Sequence, residues 1–116
     1  KKNYDIDECI KKLIKTKSDS VIAMMKVEEY HPRRLKIIKK DKIISIMSEK
    51  KESRRQDLKP NVYIRAGSIY ALDRNYFIRT KKRYGSKNSR PYILPKSRSV
   101  NIDSEIDFIL AKKLIK

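Results

Sequence analysis

Two polar residues near the end of the chain are of the types that magnesium chemistry requires. Asn101 and Asp103 fall in residues 99–108, whose pattern runs from a short strand into a helix. Alternation along the extended part places both side chains on one side of the chain, at the carboxyl end of the strand. Ligands bind at that edge of open α/β sheets, and an acidic residue there can hold Mg²⁺ against phosphate oxygens. The alternative is that Asp103 only caps the last helix, and spacing does not decide between the two.

A pair of arginines forms the second candidate site. Arg54 and Arg55 precede Gln56 and Asp57 in a polar loop. A guanidinium group matches the two oxygens of a carboxylate, so such a pair can clamp an acidic substrate. A solvated surface loop explains the same residues, and taken alone they favour that interpretation.

The other reactive residue types occur singly. His31 is the only histidine and precedes Pro32, and Cys9 is the only cysteine. These counts exclude an internal disulfide and a cysteine-based zinc site, and they favour structural roles for both side chains. Because Gly67 and Gly85 are its only glycines, the chain also has no glycine-rich phosphate loop.

The chain is strongly basic, and this charge has two explanations. Its 116 residues include 31 Lys and Arg against 14 Asp and Glu, a formal net charge of +17. Such a charge gives affinity for nucleic acids through counterion release, but lysine is spread along the whole chain, as on a solvated surface. The aromatic residues that could stack on bases fall in apolar segments and are expected in the core: Tyr63, Tyr70, Phe77 and Phe108. A nucleic-acid partner is therefore the less favoured explanation.

The periodicity of the apolar residues predicts an α/β protein. Residues 5–17 have apolar positions at helical spacing, with Asp5 and Glu8 as a capping box. Residues 20–25 form a continuous apolar run, typical of a buried and often parallel strand. A helix followed directly by a buried strand is half of an α/β unit.

The middle of the chain predicts a β-hairpin and a loop. Two isoleucine-rich segments, residues 35–39 and 42–47, flank Lys40 and Asp41 in the manner of paired strands. Residues 48–60 are polar and are expected to form a loop.

Two short strands and a short helix are expected next. Residues 62–64 and 68–72 have strand character, with Gly67 between them where backbone freedom or the close approach of a ligand is needed. Asp73 is placed to cap a helix that extends through residue 78.

The last part of the chain predicts an arm, a strand and a helix. Residues 80–90 are rich in Lys, Arg and Ser and are expected to form a mobile loop or arm, and residues 92–94 a short strand. The final helix is preceded by Asp103 and Ser104 at capping positions. Its apolar residues recur at helical spacing: Ile106, Ile109, Leu110 and Leu114.

Length and hydropathy indicate a single domain, residues 1–116. The longest apolar run, residues 21–25, is far shorter than the roughly 20 residues that a membrane-spanning helix needs. A chain with one cysteine is typical of a reducing compartment, so a cytoplasmic location is expected.

The order of these clusters resembles the C-terminal half of the acylneuraminate cytidylyltransferases, the CMP-N-acetylneuraminic acid synthetases and their relatives for other nonulosonic acids. The matching segments, in chain order, are residues 54–57 (RRQD), 63–70 (YIRAGSIY), 92–95 (YILP) and 99–108 (SVNIDSEIDF). Residues 19–22 (DSVI) and 28–32 (EEYHP) are similar to the family's preceding strand and loop. The resemblance therefore covers almost the whole chain.

The resemblance implies the C-terminal half of a Rossmann-like nucleotidyltransferase fold, with a β-hairpin or arm for dimerisation that corresponds to residues 79–91. It implies a reaction in which the anomeric hydroxyl of a sialic-acid-like nonulosonic acid attacks the α-phosphate of CTP, with Mg²⁺, giving a CMP-sugar and pyrophosphate. Such catalysis rests on positioning and charge neutralisation. The implied partners are CTP, the sugar acid and a second copy of the chain, with no membrane.

The family's site residues carry over to several positions. Asp103 matches the metal-linked, catalytic carboxylate, and Asn101 stands where the family has the first Asp of its Asp-Ile-Asp segment. Arg55 matches the arginine that binds the sugar carboxylate, and Tyr70 matches the aromatic residue that lines the sugar site. The amide of Asn101 can coordinate a metal through its oxygen but brings no charge.

The rest of the implied substrate-binding set is Gln56, Ala66 and Gly67. Ala66 stands where the family has an asparagine, so only its backbone can contact the substrate. The family's glycine- and arginine-rich nucleotide loop has no counterpart here. We therefore expect a C-terminal fragment of a larger enzyme that is inactive in isolation. The alternative is a non-enzymatic basic module that binds nucleic acid or another polyanion.

Overall fold

The computed structural model describes residues 2–48, 54–84 and 86–115, without the side chain of Arg55. The chain divides into two compact units, the first comprising Lys1–Met25 and Arg65–Lys116 and the second Lys26–Ile64. The described residues form three α-helices and five β-strands, which confirms the α/β class. One domain over residues 1–116 stays a prediction.

A three-stranded mixed sheet organises the first unit. Strand β1 (Ser20–Val27) lies between β4 (Val62–Leu72) and β5 (Ser89–Ile93). β1 and β5 run parallel, with Val21 opposite Arg90. The predicted buried, parallel strand is therefore confirmed, and β5 begins ahead of the expected residues 92–94.

Helix α1 (Asn3–Thr16) confirms the predicted first helix, but its cap differs. The helix begins ahead of Asp5, so Asp5 occupies the third helical position and accepts a hydrogen bond from the Lys2 amide at 2.7 Å. The predicted Asp5–Glu8 capping box is therefore wrong. Glu8 instead pairs with Lys11 on the exposed surface, at 3.0 Å.

The Asp5 carboxylate is fully buried and joins three parts of the first unit. It accepts a hydrogen bond from the Tyr92 hydroxyl of β5 at 2.9 Å and bonds from Arg98 Nε at 3.2 Å and Nη2 at 3.1 Å. Burial raises the pKa of Asp5, but the hydrogen bonds from Lys2, Arg98 and Tyr92 outweigh it, so the pKa lies below its ordinary value. Burial of Tyr92 and its hydrogen bond to Asp5 raise the pKa of the Tyr92 hydroxyl to about 12.

The core of the first unit packs beside this carboxylate. Its buried members are Cys9, Val21, Ala23, Ala66, Ile69 and Leu94. The packing role predicted for Cys9 is confirmed, and burial, with the Asp5 charge, raises the pKa of its thiol to about 11. The isoleucine stripe of α1 lies elsewhere: Ile6, Ile10 and Ile14 are 50%, 45% and 71% exposed. The helix therefore packs through Cys9 and Leu13.

Strand β4 is continuous, although two separate strands were expected. Gly67 lies inside it with φ +70°, a left-handed conformation that favours glycine. Ala66, Ile69 and Ala71 all contact the core. Because strand residues alternate between faces, core contacts three residues apart require a change of alternation, which we assign to a bulge at Gly67.

The expectation that the aromatic residues lie in the core is wrong. Tyr63, Phe77 and Phe108 are 43%, 39% and 46% exposed, and Tyr70 is half-buried. On helix α2 (Arg74–Thr80), it is Tyr76 that is buried, one position away from Phe77. Apolar patterning located these elements but not the face that each one buries.

Helix α2 begins as predicted, because the Asp73 side chain accepts a hydrogen bond from the Tyr76 amide at 2.9 Å. It ends at Lys81, whose φ of 57° is left-handed. The expected arm, residues 79–91, is shorter than predicted. Arg79 belongs to α2 and Pro91 to β5.

The second unit contains the predicted hairpin. β2 (Lys36–Lys39) and β3 (Lys42–Ser45) pair antiparallel around Lys40 and Asp41. Both turn residues have positive φ, 51° and 60°, as a two-residue type I′ turn requires. The predicted loop over residues 48–60 includes a 3₁₀ turn at Arg55–Asp57, and residues 49–53 lie outside the described part.

No helix in the described ranges is long and apolar enough to cross a bilayer.

Replacing Asp5 by asparagine should lower the free energy of unfolding at pH 7 and flatten its dependence on acid pH. The folded pKa of Asp5 lies below the ordinary 3.8, so its contribution to stability is present above about that pH. It is lost as the pH falls through the folded pKa. Urea unfolding between neutral and acid pH measures both effects, and we expect a loss at pH 7 of roughly 1–3 kcal/mol.

Asp7→Asn is the matched control, because Asp7 is exposed on the same helix. It should leave the stability at pH 7 nearly unchanged. If Asp5→Asn kept the acid dependence of the parent chain, the Asp5 network would not be its source.

Candidate functional site

A groove of about 520 Å³ lies at the carboxyl ends of the parallel strands of the first unit. β1 and β5 are still linked at this end, where the Leu94 amide donates to the Met24 carbonyl at 2.9 Å. The chain then turns through a 3₁₀ segment, Lys96–Arg98, and enters the wall of the groove. Its polar and apolar lining includes Met25, Ser99, Asn101, Asp103, Asp107 and Leu110. Ligands of open α/β sheets bind at this edge.

The structure brings Asn101 and Asp103 together on this groove, but not on a strand. The strand expected at the start of residues 99–108 is absent, and the described backbone there is irregular. The backbone bonds locally instead: the Ser99 amide donates to Lys96 O at 3.2 Å and the Ser99 hydroxyl to Pro95 O at 2.7 Å. These bonds close the 3₁₀ turn, so this segment does not join the sheet ladder.

The alternative role of Asp103 as a cap is filled by other residues. Helix α3 (Glu105–Leu114) has Ser104 as its N-cap. Asp107 Oδ2 accepts bonds from the Asp103 amide at 3.2 Å and from the Ser104 amide at 2.9 Å, together with the Ser104 hydroxyl at 2.7 Å. The Ser104 hydroxyl and these amides lower the pKa of Asp107. Asp107, three residues after Ser104, was missed although the Ser-x-x-acidic spacing signals it.

The Asp103 carboxylate is left available to a ligand. Within the described residues it accepts no hydrogen bond and forms no ion pair, and it is exposed at the groove. Asn101 beside it is half-buried, and its amide lies against Gly67 of β4. A Cβ at Gly67 would lie 2.6 Å from Asn101 Nδ2. The close approach at Gly67 is therefore one between chain segments, not the predicted approach of a ligand, and the predicted need for backbone freedom is confirmed by the positive φ.

The magnesium ion predicted at this groove would take most of its ligands from water and phosphate. No group of three or more His, Cys, Asp or Glu suited to a metal occurs within the described ranges. A metal site made only of protein ligands is therefore not formed there. Mg²⁺ commonly takes one or two carboxylates and completes its shell with phosphate oxygens and water. Asp103 and Asn101 offer one carboxylate and one amide oxygen at this groove, and a magnesium site formed by them stays a prediction.

The other implied substrate residues are dispersed. The Ala66 side chain is buried in the core, 2% exposed, so it offers only backbone to a ligand. Tyr70 lies on β4 next to the core residues Ile69 and Ala71, so alternation places it on the opposite face. It contacts Tyr84, with ring centroids 6.5 Å apart. The predicted role of Tyr70 at a sugar site stays a prediction.

Gln56 and Arg55 belong to the second unit. Gln56 is exposed and lines a cavity with His31 and Leu58, and the side chain of Arg55 lies outside the described residues. The carboxylate clamp by Arg55 therefore stays a prediction. Among the described side chains of residues 54–57, Arg54 Nε pairs with Asp57 Oδ2 at 3.3 Å on the surface.

The structural role predicted for His31 is confirmed. The side chain is 2% exposed, and its Nδ1 accepts a hydrogen bond from the Arg33 amide at 3.2 Å. Its Nε2 therefore carries the proton and donates to the Pro60 carbonyl at 2.7 Å. Both ring nitrogens are used within the second unit, which leaves neither for catalysis.

Comparison with known proteins adds no assignment. No protein-family model matches the sequence, and no curated protein is significantly similar to it.

Replacing Gly67 by alanine should lower the free energy of unfolding by about 1 kcal/mol or more, because a β-carbon is strained at positive φ and displaces Asn101. The double variant Gly67→Ala/Asn101→Ala should recover the part of this loss in stability that comes from the collision between the new β-carbon and the Asn101 side chain. Denaturant unfolding of the single and double variants measures both.

Ser68→Ala is the neighbouring control, because Ser68 Oγ is buried with no hydrogen-bond partner within the described residues. This substitution should be neutral or stabilising. An equal loss of stability in all three variants would contradict the role assigned to Gly67.

Proposed function

We propose that this chain is the sugar-acid-binding and dimerising part of a cytidylyltransferase that activates a sialic-acid-like nonulosonic acid with CTP. The observation that carries the proposal is the unpartnered Asp103 carboxylate beside Asn101, in a groove at the carboxyl ends of parallel strands. The proposal takes its reaction from the resemblance of residues 54–57, 63–70, 92–95 and 99–108. It includes a Rossmann-like fold for the complete enzyme.

Asp103 supplies the negative charge of the proposed site. Its carboxylate would hold Mg²⁺ with the oxygen of Asn101, and the bound ion would neutralise charge on the phosphates of CTP. Asp107 does not compete for this role, because the α3 cap uses its Oδ2. The same cap keeps Asp103 at the rim of the groove, since its amide is bonded to Asp107.

The residues proposed to bind the sugar acid are those that the resemblance implies. Arg55 would bind the carboxylate in bidentate fashion, with Gln56 beside it. Gly67 and Ala66 would contact the sugar through backbone atoms, and Tyr70 would pack against it. Residues 79–91, of which 81–84 and 86–88 lie outside α2 and β5, would contact a second copy of the chain.

Asp103→Asn should weaken divalent-cation binding by about tenfold or more, because it removes the unpartnered charge while preserving side-chain shape. Mn²⁺ is the probe, since it broadens the amide NMR signals of nearby residues. In the parent chain the broadening should centre on residues 101–107.

Asp7→Asn is again the control of equal charge, and it should bind Mn²⁺ as the parent does. The sugar is tested separately by titrating N-acetylneuraminate against the parent chain and Arg55→Ala. Binding to the parent that Arg55→Ala weakens supports the proposal. Broadening that is identical in Asp103→Asn and the parent would remove Asp103 from the metal, and an absence of sugar-acid binding to the parent would contradict the substrate class.

A further inference from the structure

Two arginines and two tyrosines form a stacked group on the first unit, here called the Arg–Tyr cluster: Arg65, Tyr70, Arg83 and Tyr84. The guanidinium carbon of Arg65 lies 3.9 Å from the centroid of the Tyr84 ring. That of Arg83 lies 5.2 Å from the centroid of the Tyr70 ring. The two rings contact each other, at 6.5 Å between centroids and 39° between planes.

The bulge at Gly67 allows this cluster to form. Arg65 and Tyr70 are an odd number of residues apart on β4, so regular alternation would place them on opposite faces. The change of alternation at Gly67 places both on the face away from the core. The left-handed residue Lys81 then ends α2, and the chain beyond it supplies Arg83 and Tyr84 to the same cluster.

The cluster is exposed and strongly positive. Arg65, Arg83 and Tyr84 are exposed, and Tyr84 retains 43% of its accessible surface. Lys81 and Lys82 line a shallow groove with Arg83 and Tyr84. Within the described residues, none of the four basic side chains of this surface pairs with a carboxylate: Arg65, Lys81, Lys82 and Arg83. The hydrogen bond and charge of Arg65 lower the pKa of Tyr84.

We propose that the Arg–Tyr cluster, with Lys81 and Lys82, binds single-stranded nucleic acid. The lysines and Arg83 contact the phosphates, and unpaired bases stack on the two tyrosine rings and on the Arg65 guanidinium. The exposed Tyr84 ring and the half-buried Tyr70 ring distinguish this surface from a merely basic one, because stacking requires bases that are not already paired. The formal charge of +17 on the whole chain favours the approach of any polyanion, but it does not select single strands.

A fluorescent oligothymidine of about 12 nucleotides tests the proposal, in about 0.15 M salt, where weak charge contacts are screened. The parent chain should bind it more tightly than a duplex of the same length. Tyr84→Ala and Tyr70→Ala should each weaken binding about 5- to 100-fold, with little change in its salt dependence. Arg83→Ala should instead reduce the slope of log affinity against log salt by about 1.

Matched controls separate stacking from charge. Tyr30→Ala removes an exposed tyrosine of the second unit, and Arg74→Ala removes an exposed arginine of α2. Both should retain the affinity of the parent. Arg65→Lys keeps the charge but loses the planar group, so it should weaken binding to the single strand. Thermal unfolding of each variant shows whether it is folded.

Several outcomes would overturn the proposal. These are no binding in about 0.15 M salt, equal affinity for the duplex, and tyrosine variants that bind like the parent. The last result would leave only a nonspecific attraction between a basic protein and a polyanion. None of these outcomes bears on the cation site at Asp103, so failure here and failure of the proposed enzymatic function are distinguishable.

Discussion

The first unit depends on how the buried carboxylate of Asp5 is stabilised. A charge removed from water costs several kcal/mol unless it is paired and hydrogen-bonded. Here Arg98, the Tyr92 hydroxyl and the Lys2 amide supply that compensation. The three donors come from the start of α1, from β5 and from the 3₁₀ turn that follows it. Each of these parts is therefore held by one acidic side chain.

The groove of the first unit inherits its geometry from this network. Arg98 closes the 3₁₀ turn that leads from the end of β5 to Ser99 and Asn101. Asn101 then packs on Gly67, where no side chain intervenes. The α3 cap completes the wall by engaging Asp107 and leaving Asp103 at the rim. The unpartnered Asp103 carboxylate is thus flanked by the Asn101–Gly67 contact and by the capped start of α3.

Local patterns in the sequence were sufficient for most of the elements. Helix α1, strand β1 and the β2–β3 hairpin arise from short-range periodicity and turn chemistry, and the structure confirms them. Contacts between distant residues could not be predicted in this way. Asp5 and Arg98 are separated by 93 positions, and no local signal links them. Gly67 was interpreted as a break because a glycine within a strand can mark either an interruption or a bulge.

Asn101 and Asp103 were predicted at the end of a strand for a reason that was partly wrong. Asn101 and Asp103 do lie at the carboxyl end of parallel strands, but the strands are β1 and β5 rather than a strand of their own. The predicted burial of the aromatic residues is wrong for a related reason. Periodicity predicts an apolar face, whereas the packing of neighbouring elements decides whether that face is covered, and Phe77 and Phe108 remain exposed.

The β2–β3 hairpin has a consequence for handling the protein. Within the described residues it is a two-stranded ribbon with no further strand paired to either edge, and its paired isoleucines are exposed on both faces: Ile37 with Ile44 and Ile38 with Ile43. Lysines at the strand ends, Lys36, Lys39 and Lys42, act as gatekeepers against the addition of further strands. Their repulsion is electrostatic and weakens as ionic strength rises. Concentrated salt would therefore favour edge-to-edge polymerisation of a ribbon that dilute buffer keeps apart.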